Sequence, residues 1–191
     1  MSPPEVELIA RAVQGDAEAT AALLARVRPG IVRYCRARLG RVNGSYGTPD
    51  DVAQEVCLAV LTALPRYRDQ GRPFSAFVYG IAAHKVADAQ RAAVRGATAT
   101  PVESIADRPD PAPGPEQRAV ATDLTRRLST LLAHLSPVQR EVIVLRVAVG
   151  LSSEEVGAVL DMSAAAVRVT QSRALARLRT LAGELADEVA A

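Results

Sequence analysis

Five prolines near the middle of this 191-residue chain constrain its fold more than any other feature of the sequence. They are Pro101, Pro109, Pro111, Pro113 and Pro115, set among alanine, threonine and aspartate. Proline fixes φ and lacks a backbone N–H, so a stretch this rich in proline cannot continue a helix or build a core. The sequence therefore predicts a semi-extended linker over 97–116 that joins two units, 1–96 and 117–191.

On both sides of the linker the apolar residues recur at helical spacing. Alanine, leucine and arginine dominate, aromatic residues make up only 3% of the chain, and alternating runs of β-branched residues are rare. A hydrophobic content of 49% is enough for a buried core. This pattern predicts an all-α protein of two helical domains joined by a proline-rich linker.

Capping residues place the helices of the first unit. A helix beginning at Glu5 should stop near Gly15, and Asp16 should cap a second helix. Thr48 followed by Pro49 is typical of a further helix start. The predicted elements are a second helix at Ala17–Leu39 with a bend at Pro29–Gly30, a loop at Asn43–Gly47, a third helix from Pro49 to about Leu64, and a fourth from Phe74 to about Arg95.

In the second unit, the spacing predicts four helices, of which the last two form a helix-turn-helix. The predicted elements are Glu116–His134, a helix opened by Ser136 and closed by Gly150, a helix capped by Ser152 or Ser153, a tight turn at Asp161–Ser163, and a final helix at Ala164–Leu181. Two short helices joined by a tight turn, the second of them basic, can present a helix to the major groove of DNA.

The final helix has two distinct faces on a helical wheel. Its inward face carries Val167, Ala174, Leu178 and Leu181, and its outward face carries Arg168, Val169, Ser172, Arg173 and Ala176. Arginine can bridge two acceptors of guanine, and small neighbours let a helix sit deep in the groove. We therefore predict DNA contacts at Arg168, Val169, Ser172 and Arg173. Arg177 and Arg179 are interpreted as backbone contacts or solvated charges, and an amphipathic bundle helix is the alternative for the whole face.

A second basic region lies before the linker. Residues 60–96 carry six basic side chains against Asp69 and Asp88, and aromatic residues beside cations are typical of single-stranded DNA binding. The aromatic residues here are Phe74, Phe77 and Tyr79. Core packing is the alternative explanation of these side chains, and it is favoured for Phe77 and for the neighbouring Ile81. Solvated helix faces are the alternative explanation of the charges.

Several classes of protein are disfavoured by what the sequence lacks. No apolar run reaches the roughly 20 residues that span a bilayer, and no signal peptide begins the chain, so a cytoplasmic protein is expected. Cys35 and Cys57 have no zinc or redox spacing and are interpreted as reduced, packed thiols. His84 has no second ligand or nucleophile spaced to help it. With no phosphate loop or nucleophile elbow, we predict no catalytic residue, no metal, no cofactor and no enzymatic activity.

Three stretches of the second unit resemble region four of the extracytoplasmic-function sigma factors: Leu135–Arg146, Gly150–Val156 and Val167–Arg179. In the first unit, Asp50–Val56 resembles the region-two motif that docks on the clamp of RNA polymerase. Phe77–His84, followed by Asp88 and Arg91, resembles the segment that melts and reads the minus-10 element. The order of these motifs, with a linker between them, is that of a small alternative sigma factor.

The resemblance implies roles for particular residues. It implies polymerase binding at Asp51, Gln54 and Glu55, and Asp51→Ala or Gln54→Ala is expected to weaken that binding without disturbing the fold. It implies contacts to the minus-10 element at Tyr79, His84, Lys85, Asp88 and Arg91, and to the minus-35 element by the final helix. Core RNA polymerase, promoter DNA and an anti-sigma factor are the implied partners.

Some positions depart from the family pattern, so the resemblance does not give the promoter sequence. The family often has tryptophan where Phe77 stands and asparagine where His84 stands, and it commonly differs at Thr170 and Gln171. A self-sufficient helix-turn-helix regulator, whose first unit senses a signal or dimerises, is the runner-up. Transcription with core polymerase alone would distinguish the two.

Overall fold

The part of the chain that the structure describes is built from helices, with no strand among its residues. The structure is a computed structural model, and it describes residues 3–40, 48–96, 127–128 and 130–190. The predicted loop at Asn43–Gly47 and the predicted linker over 97–116 lie outside these residues. The predicted all-α fold class is confirmed.

Four α-helices form the N-terminal half, which here means residues 3–96 without the undescribed loop. They are α1 (Pro3–Val13), α2 (Ala17–Leu39), α3 (Pro49–Ala63) and α4 (Phe74–Gly96), with a short 3-10 turn at Leu64–Arg66 after α3. The helix α2 continues through Pro29, where a bend had been predicted.

The C-terminal half, residues 127–190, is also helical. Residues 127–128 and 130–133 are helical, while most of the predicted helix Glu116–His134 lies outside the described residues. The elements that follow are α5 (Pro137–Ile143), a π-helical segment (Val144–Val149), α6 (Ser153–Leu160) and α7 (Ala164–Ala190). The last helix continues to Ala190, so the prediction that it ends at Leu181 is wrong. Residues 182–190 are mostly good helix formers and contain no proline, so no residue there stops the helix.

Side-chain caps define the helix starts, because the first N–H groups of a helix have no partner within it. Asp16 accepts a hydrogen bond from the Ala19 N–H at 3.0 Å, which confirms the predicted cap of α2. Capping boxes, in which the cap and the third residue of the helix bond reciprocally, begin three other helices. They pair Thr48 with Asp51, Ser136 with Gln139, and Ser152 with Glu155.

One continuous hydrophobic core joins the two halves. The helix α2 contributes Ile31, Tyr34 and Cys35, all at most 1% exposed, and α3 and α4 pack around it. Leu145, Val156 and Val167 from the C-terminal half belong to the same core. The two halves therefore pack directly against each other, through contacts of α2 with the π-helical segment and of α4 with α6.

The chemistry of the two cysteines fits packing rather than reactivity. Both are free thiols, with Cys35 buried and Cys57 half-buried, in agreement with the interpretation from sequence. Burial raises the pKa of Cys35 to about 12, so its reactive thiolate is scarce at neutral pH. Within the described residues no group of side chains could hold a metal ion, and no helix is long and apolar enough to cross a membrane.

Candidate nucleic-acid interface

The helices α6 and α7 are joined by the tight turn that the sequence predicts at residues 161–163. Asp161 adopts a left-handed conformation with φ of 57°, and the Met162 N–H bonds back to the Gly157 carbonyl at 2.9 Å. A Cβ atom at Gly157 would lie 2.5 Å from the Met162 carbonyl oxygen, so only glycine lets the turn pack this closely on α6. Ser163 Oγ then accepts from the Ala166 N–H at 3.1 Å and caps α7.

The inner face of α7 is the one predicted from the helical wheel. Val167 and Ala174 are fully buried and Leu181 is 8% exposed. Leu178 is partly buried against a small second core formed by Leu135, Ile143 and Ala174. Apolar packing along this face fixes the rotation of α7, which decides which side chains face solvent.

The outer face of α7 is open to solvent along its first three turns. The four predicted contact residues are all exposed there: Arg168, Val169, Ser172 and Arg173. Val169 is 50% exposed, so its methyl groups are accessible for an apolar contact such as one with a thymine methyl group. Arg168 Nη1 lies 3.6 Å from Glu154 Oε1. Hydrogen bonds from the backbone and from Ser152 hold the pKa of Glu154 below its usual value, so the carboxylate is charged at neutral pH.

Gln171, one of the departures from the family pattern, has a structural partner. Arg146 donates from Nε to Gln171 Oε1 at 3.0 Å and from Nη1 to the Leu151 carbonyl. The amide of Gln171 therefore ties α7 to Arg146 of the π-helical segment. This contact explains a polar residue at a half-buried position of α7.

A second open face runs along α4. His84, Asp88 and Arg91 stand three or four residues apart, so they share one side of the helix, and all three are exposed. Arg91 Nη2 contacts Asp88 Oδ1 at 2.5 Å. Lys85, beside them, lies 3.5 Å from Glu55 Oε2 of α3. Four of the five residues expected at the minus-10 element are therefore near each other and accessible.

Tyr79 is the exception among these five residues. It is 5% exposed, and its ring stands edge-on to Tyr34 with the ring centroids 5.6 Å apart. Burial raises the pKa of its hydroxyl to about 12. In this arrangement no DNA base can reach the Tyr79 ring, because α2 and the C-terminal half cover it.

A basic cleft between the segment that connects α3 to α4, the first turns of α4, and α6 was not singled out from the sequence. It encloses about 470 Å³, and its lining includes the arginines Arg66, Arg68 and Arg72 and the aromatic rings of Tyr67 and Phe77. Ala158 and Val159 of α6 form the opposite wall. The arginine count over 60–96 was the only sign of the cleft in the sequence, because loop residues have no periodicity to show which way they face.

The exposed face of α3 carries the residues expected to bind polymerase. Gln54 and Glu55 are exposed, and Leu58 beyond them is 56% exposed. Asp51 has a local task as well, since its Oδ2 accepts from the Thr48 N–H at 2.7 Å and from the Thr48 hydroxyl at 2.9 Å. The expectation that Asp51→Ala leaves the fold undisturbed therefore has to be revised, because that change removes half of the capping box.

Together these features define a class of protein: an all-helical DNA-binding protein with a helix-turn-helix in one half and a basic, aromatic surface in the other. Comparisons with known proteins agree with that class. The model of "Sigma-70 region 2" matches residues 23–96, and the model of "Sigma-70, region 4" matches residues 125–178.

Similar proteins narrow the class to one family. The chain is 57% identical over 178 residues to the ECF RNA polymerase sigma factor ShbA of Streptomyces griseus, covering 92% of this chain and 93% of that protein. It is 55% identical over 172 residues to the ECF RNA polymerase sigma factor SigD of Mycobacterium tuberculosis, covering 90% of this chain and 81% of that protein. A structure of CnrH in complex with the cytosolic domain of CnrY superposes with a TM-score of 0.67 at 29% identity, and the match covers 93% of this chain and 96% of CnrH.

The chain belongs to the extracytoplasmic-function sigma factors of the sigma-70 family. It is a transcription initiation factor that binds core RNA polymerase and directs promoter-specific initiation.

Proposed function

We propose that the outer face of α7 reads the minus-35 element through Arg168, Val169, Ser172 and Arg173. The observation that carries this assignment is the open, apolar-and-basic face at the start of the second helix of a helix-turn-helix. In that motif the N-terminal residues of the second helix reach the base edges. Arg168 and Arg173 can supply bidentate or phosphate contacts, and Val169 an apolar one.

The minus-10 element is assigned to the exposed face of α4 and to the basic cleft beside it. His84, Lys85 and Arg91 offer donors along α4, while the rings of Tyr67 and Phe77 offer surfaces on which an unpaired base can stack. Tyr79 joins this site only after the C-terminal half has moved away, since it is buried between the halves.

Core polymerase is assigned to the exposed face of α3, with Gln54 and Glu55 at its centre and Leu58 as an apolar neighbour. The division of the chain follows from these assignments. Residues 1–96 form the region-two unit, 117–191 form the region-four unit, and 97–116 connect them. The two family matches, which end at 96 and begin at 125, support this division.

An anti-sigma factor is the further partner that we propose. CnrH has been solved in complex with the cytosolic domain of CnrY, and this chain is similar to CnrH over nearly its whole length. A polymerase subunit of this kind would act in the cytoplasm of a bacterium, and the chemistry of RNA synthesis would remain with the polymerase.

Run-off transcription tests the proposed function. Core polymerase, with and without this chain, would transcribe a pool of promoter fragments, and the transcript starts would be sequenced. We expect defined start sites only when the chain is present, with one shared sequence upstream near minus 10 and another near minus 35. Sequence-specific DNA binding by the free chain without any transcription from core polymerase would instead indicate a simple helix-turn-helix regulator.

A further inference from the structure

A polar group of one buried and two half-buried side chains joins the two halves of the chain. The Tyr34 hydroxyl of α2 donates to Glu141 Oε1 of α5 at 2.6 Å. Arg38 Nε, also on α2, lies 3.2 Å from Glu141 Oε2, and the two side chains are only 18% and 13% exposed. Tyr34 itself is 1% exposed. We call Tyr34, Arg38 and Glu141 the Glu141 latch.

Two further arginines cross between the halves, and each donates to backbone carbonyls near the end of a helical segment. Arg33 donates from Nε to the Ala148 carbonyl at 2.8 Å and from Nη2 to the Val149 carbonyl at 3.2 Å. Arg72 donates from Nη2 to the Ala158 carbonyl of α6. Carbonyls at helix ends have no partner within the helix and carry partial negative charge, so arginine is suited to both positions.

The latch and these arginines decide which surfaces are covered. The helix α6 closes one wall of the basic cleft through Ala158 and Val159, and Tyr79 lies buried beside Val149. In contrast, the outer face of α7 and the exposed face of α3 stay open. Of the three proposed binding sites, only the minus-10 site is therefore partly covered in the closed arrangement.

The closed arrangement is also too small to read both promoter elements together. By their names the two elements lie about 25 base pairs apart, which is roughly 85 Å of B-form DNA at 3.4 Å per base pair. A compact chain of 191 residues has a radius of gyration of about 16 Å, hence a diameter of about 40 Å. The two halves must therefore separate before both elements are bound.

We propose that the Glu141 latch holds the free chain in this closed form and that its release uncovers the minus-10 site. The chemistry suits a reversible contact. An ion pair that leaves the interior regains hydration, so a buried pair adds little net stability, whereas a buried charge left without its partner is strongly unfavourable. The latch is inferred from contacts alone, and only its consequence for transcription rests on the proposed function.

Small-angle X-ray scattering of the full chain tests the latch. The variants are Arg38→Glu, Glu141→Arg and the double exchange of both, with Glu5→Arg as matched control. Glu5 lies 3.5 Å from Arg26 in a pair within the N-terminal half, away from the latch. We expect each single reversal to raise the radius of gyration by about a fifth or more. The double exchange should return it to the wild-type value, and the control should leave it unchanged.

Hydrogen exchange by mass spectrometry gives a second measurement should a charge reversal disturb folding. Tyr34→Phe keeps the buried ring and removes only its bond to Glu141. We expect faster exchange at the end of α6, near Ala158, with unchanged exchange in α3. Single reversals that scatter like the wild type, or Tyr34→Phe with unaltered exchange in α6, would overturn the proposal, as would a wild-type chain that is already extended.

Discussion

Arg168 and Arg173 differ from the later arginines of α7 in their distance from the start of the helix. We expect Arg168→Ala and Arg173→Ala each to weaken promoter binding by roughly 5- to 150-fold, the range that corresponds to one lost bidentate base contact of about 1–3 kcal/mol. Arg179, eleven residues beyond Arg168, lies about 16 Å further along the helix. Arg179→Ala is therefore the matched control and should have a smaller effect.

Fluorescence anisotropy on duplex promoter DNA, repeated at several salt concentrations, measures these effects. A residue that contacts a base should lose discrimination between the promoter and a scrambled duplex. A residue that contacts phosphate should weaken binding to both and reduce the salt slope by about 0.9. Equal losses for Arg179→Ala and Arg168→Ala would contradict the assignment.

Asp50 supplies a pH-dependent contribution to stability. Arg36 donates to its two carboxylate oxygens at 2.8 and 2.7 Å and holds the pKa of Asp50 below its usual value. The pair therefore stabilises the fold above the ordinary pKa of about 3.9, and this contribution is lost as pH falls through the lower folded-state value. Because both side chains are more than half exposed, it should be below about 1 kcal/mol.

Thermal or urea unfolding of Asp50→Asn over a pH series measures that contribution. The variant should be less stable than the wild type at pH 7, and the difference should shrink as pH falls below about 4. Glu7→Gln, a change to an exposed carboxylate of α1, is the control. A difference that grows toward acid pH would show that the sign is wrong.

At the scale of single elements, two exposed residues of α3 have different roles: one stabilises the start of the helix, and the other is available to bind a partner. Asp51 completes the capping box with Thr48, whereas the Gln54 side chain makes no such contact and is exposed. We expect Gln54→Ala to weaken core polymerase binding about fivefold, the equivalent of one hydrogen bond of about 1 kcal/mol, with helicity unchanged. Gln14→Ala, an exposed glutamine that follows α1, should have no effect.

Titration of labelled core polymerase with each variant, together with circular dichroism, separates the two effects. Wild-type affinity for Gln54→Ala would remove this residue from the docking surface. Lower helicity for Asp51→Ala would confirm that its carboxylate is needed at the start of α3.

Helix starts were predictable from the sequence because a cap is a local interaction. Asp16, Thr48 and Ser152 each lie within three residues of the N–H that they satisfy. The inward face of α7 was predictable for a similar reason, since helical periodicity alone selects it. The burial of Tyr79 was not predictable, because it depends on residues from α2 and on Val149, which lies 70 positions away along the chain.

At the scale of the whole molecule, the family and the all-α fold class could be predicted from the sequence, whereas the packing of the two halves against each other could not. The contacts of Arg33, Tyr34 and Arg38 with the C-terminal half join residues more than 100 positions apart. No pattern within either half specifies such partners. The basic cleft was missed for the same reason, since α6 supplies one of its walls.

The ion pair between Arg168 and Glu154 bears on how the protein finds its promoter. Any phosphate that Arg168 meets must first displace a carboxylate held 3.6 Å away. In the proposed interface that competition would lower affinity for arbitrary sequence, whereas a guanine at the correct site would offset it by offering two acceptors. Because a genome offers about a million or more wrong sites, weak binding to each of them shortens the search. If Arg168 contacts DNA as proposed, Glu154 would favour rapid sampling of DNA over long residence at any site but the right one.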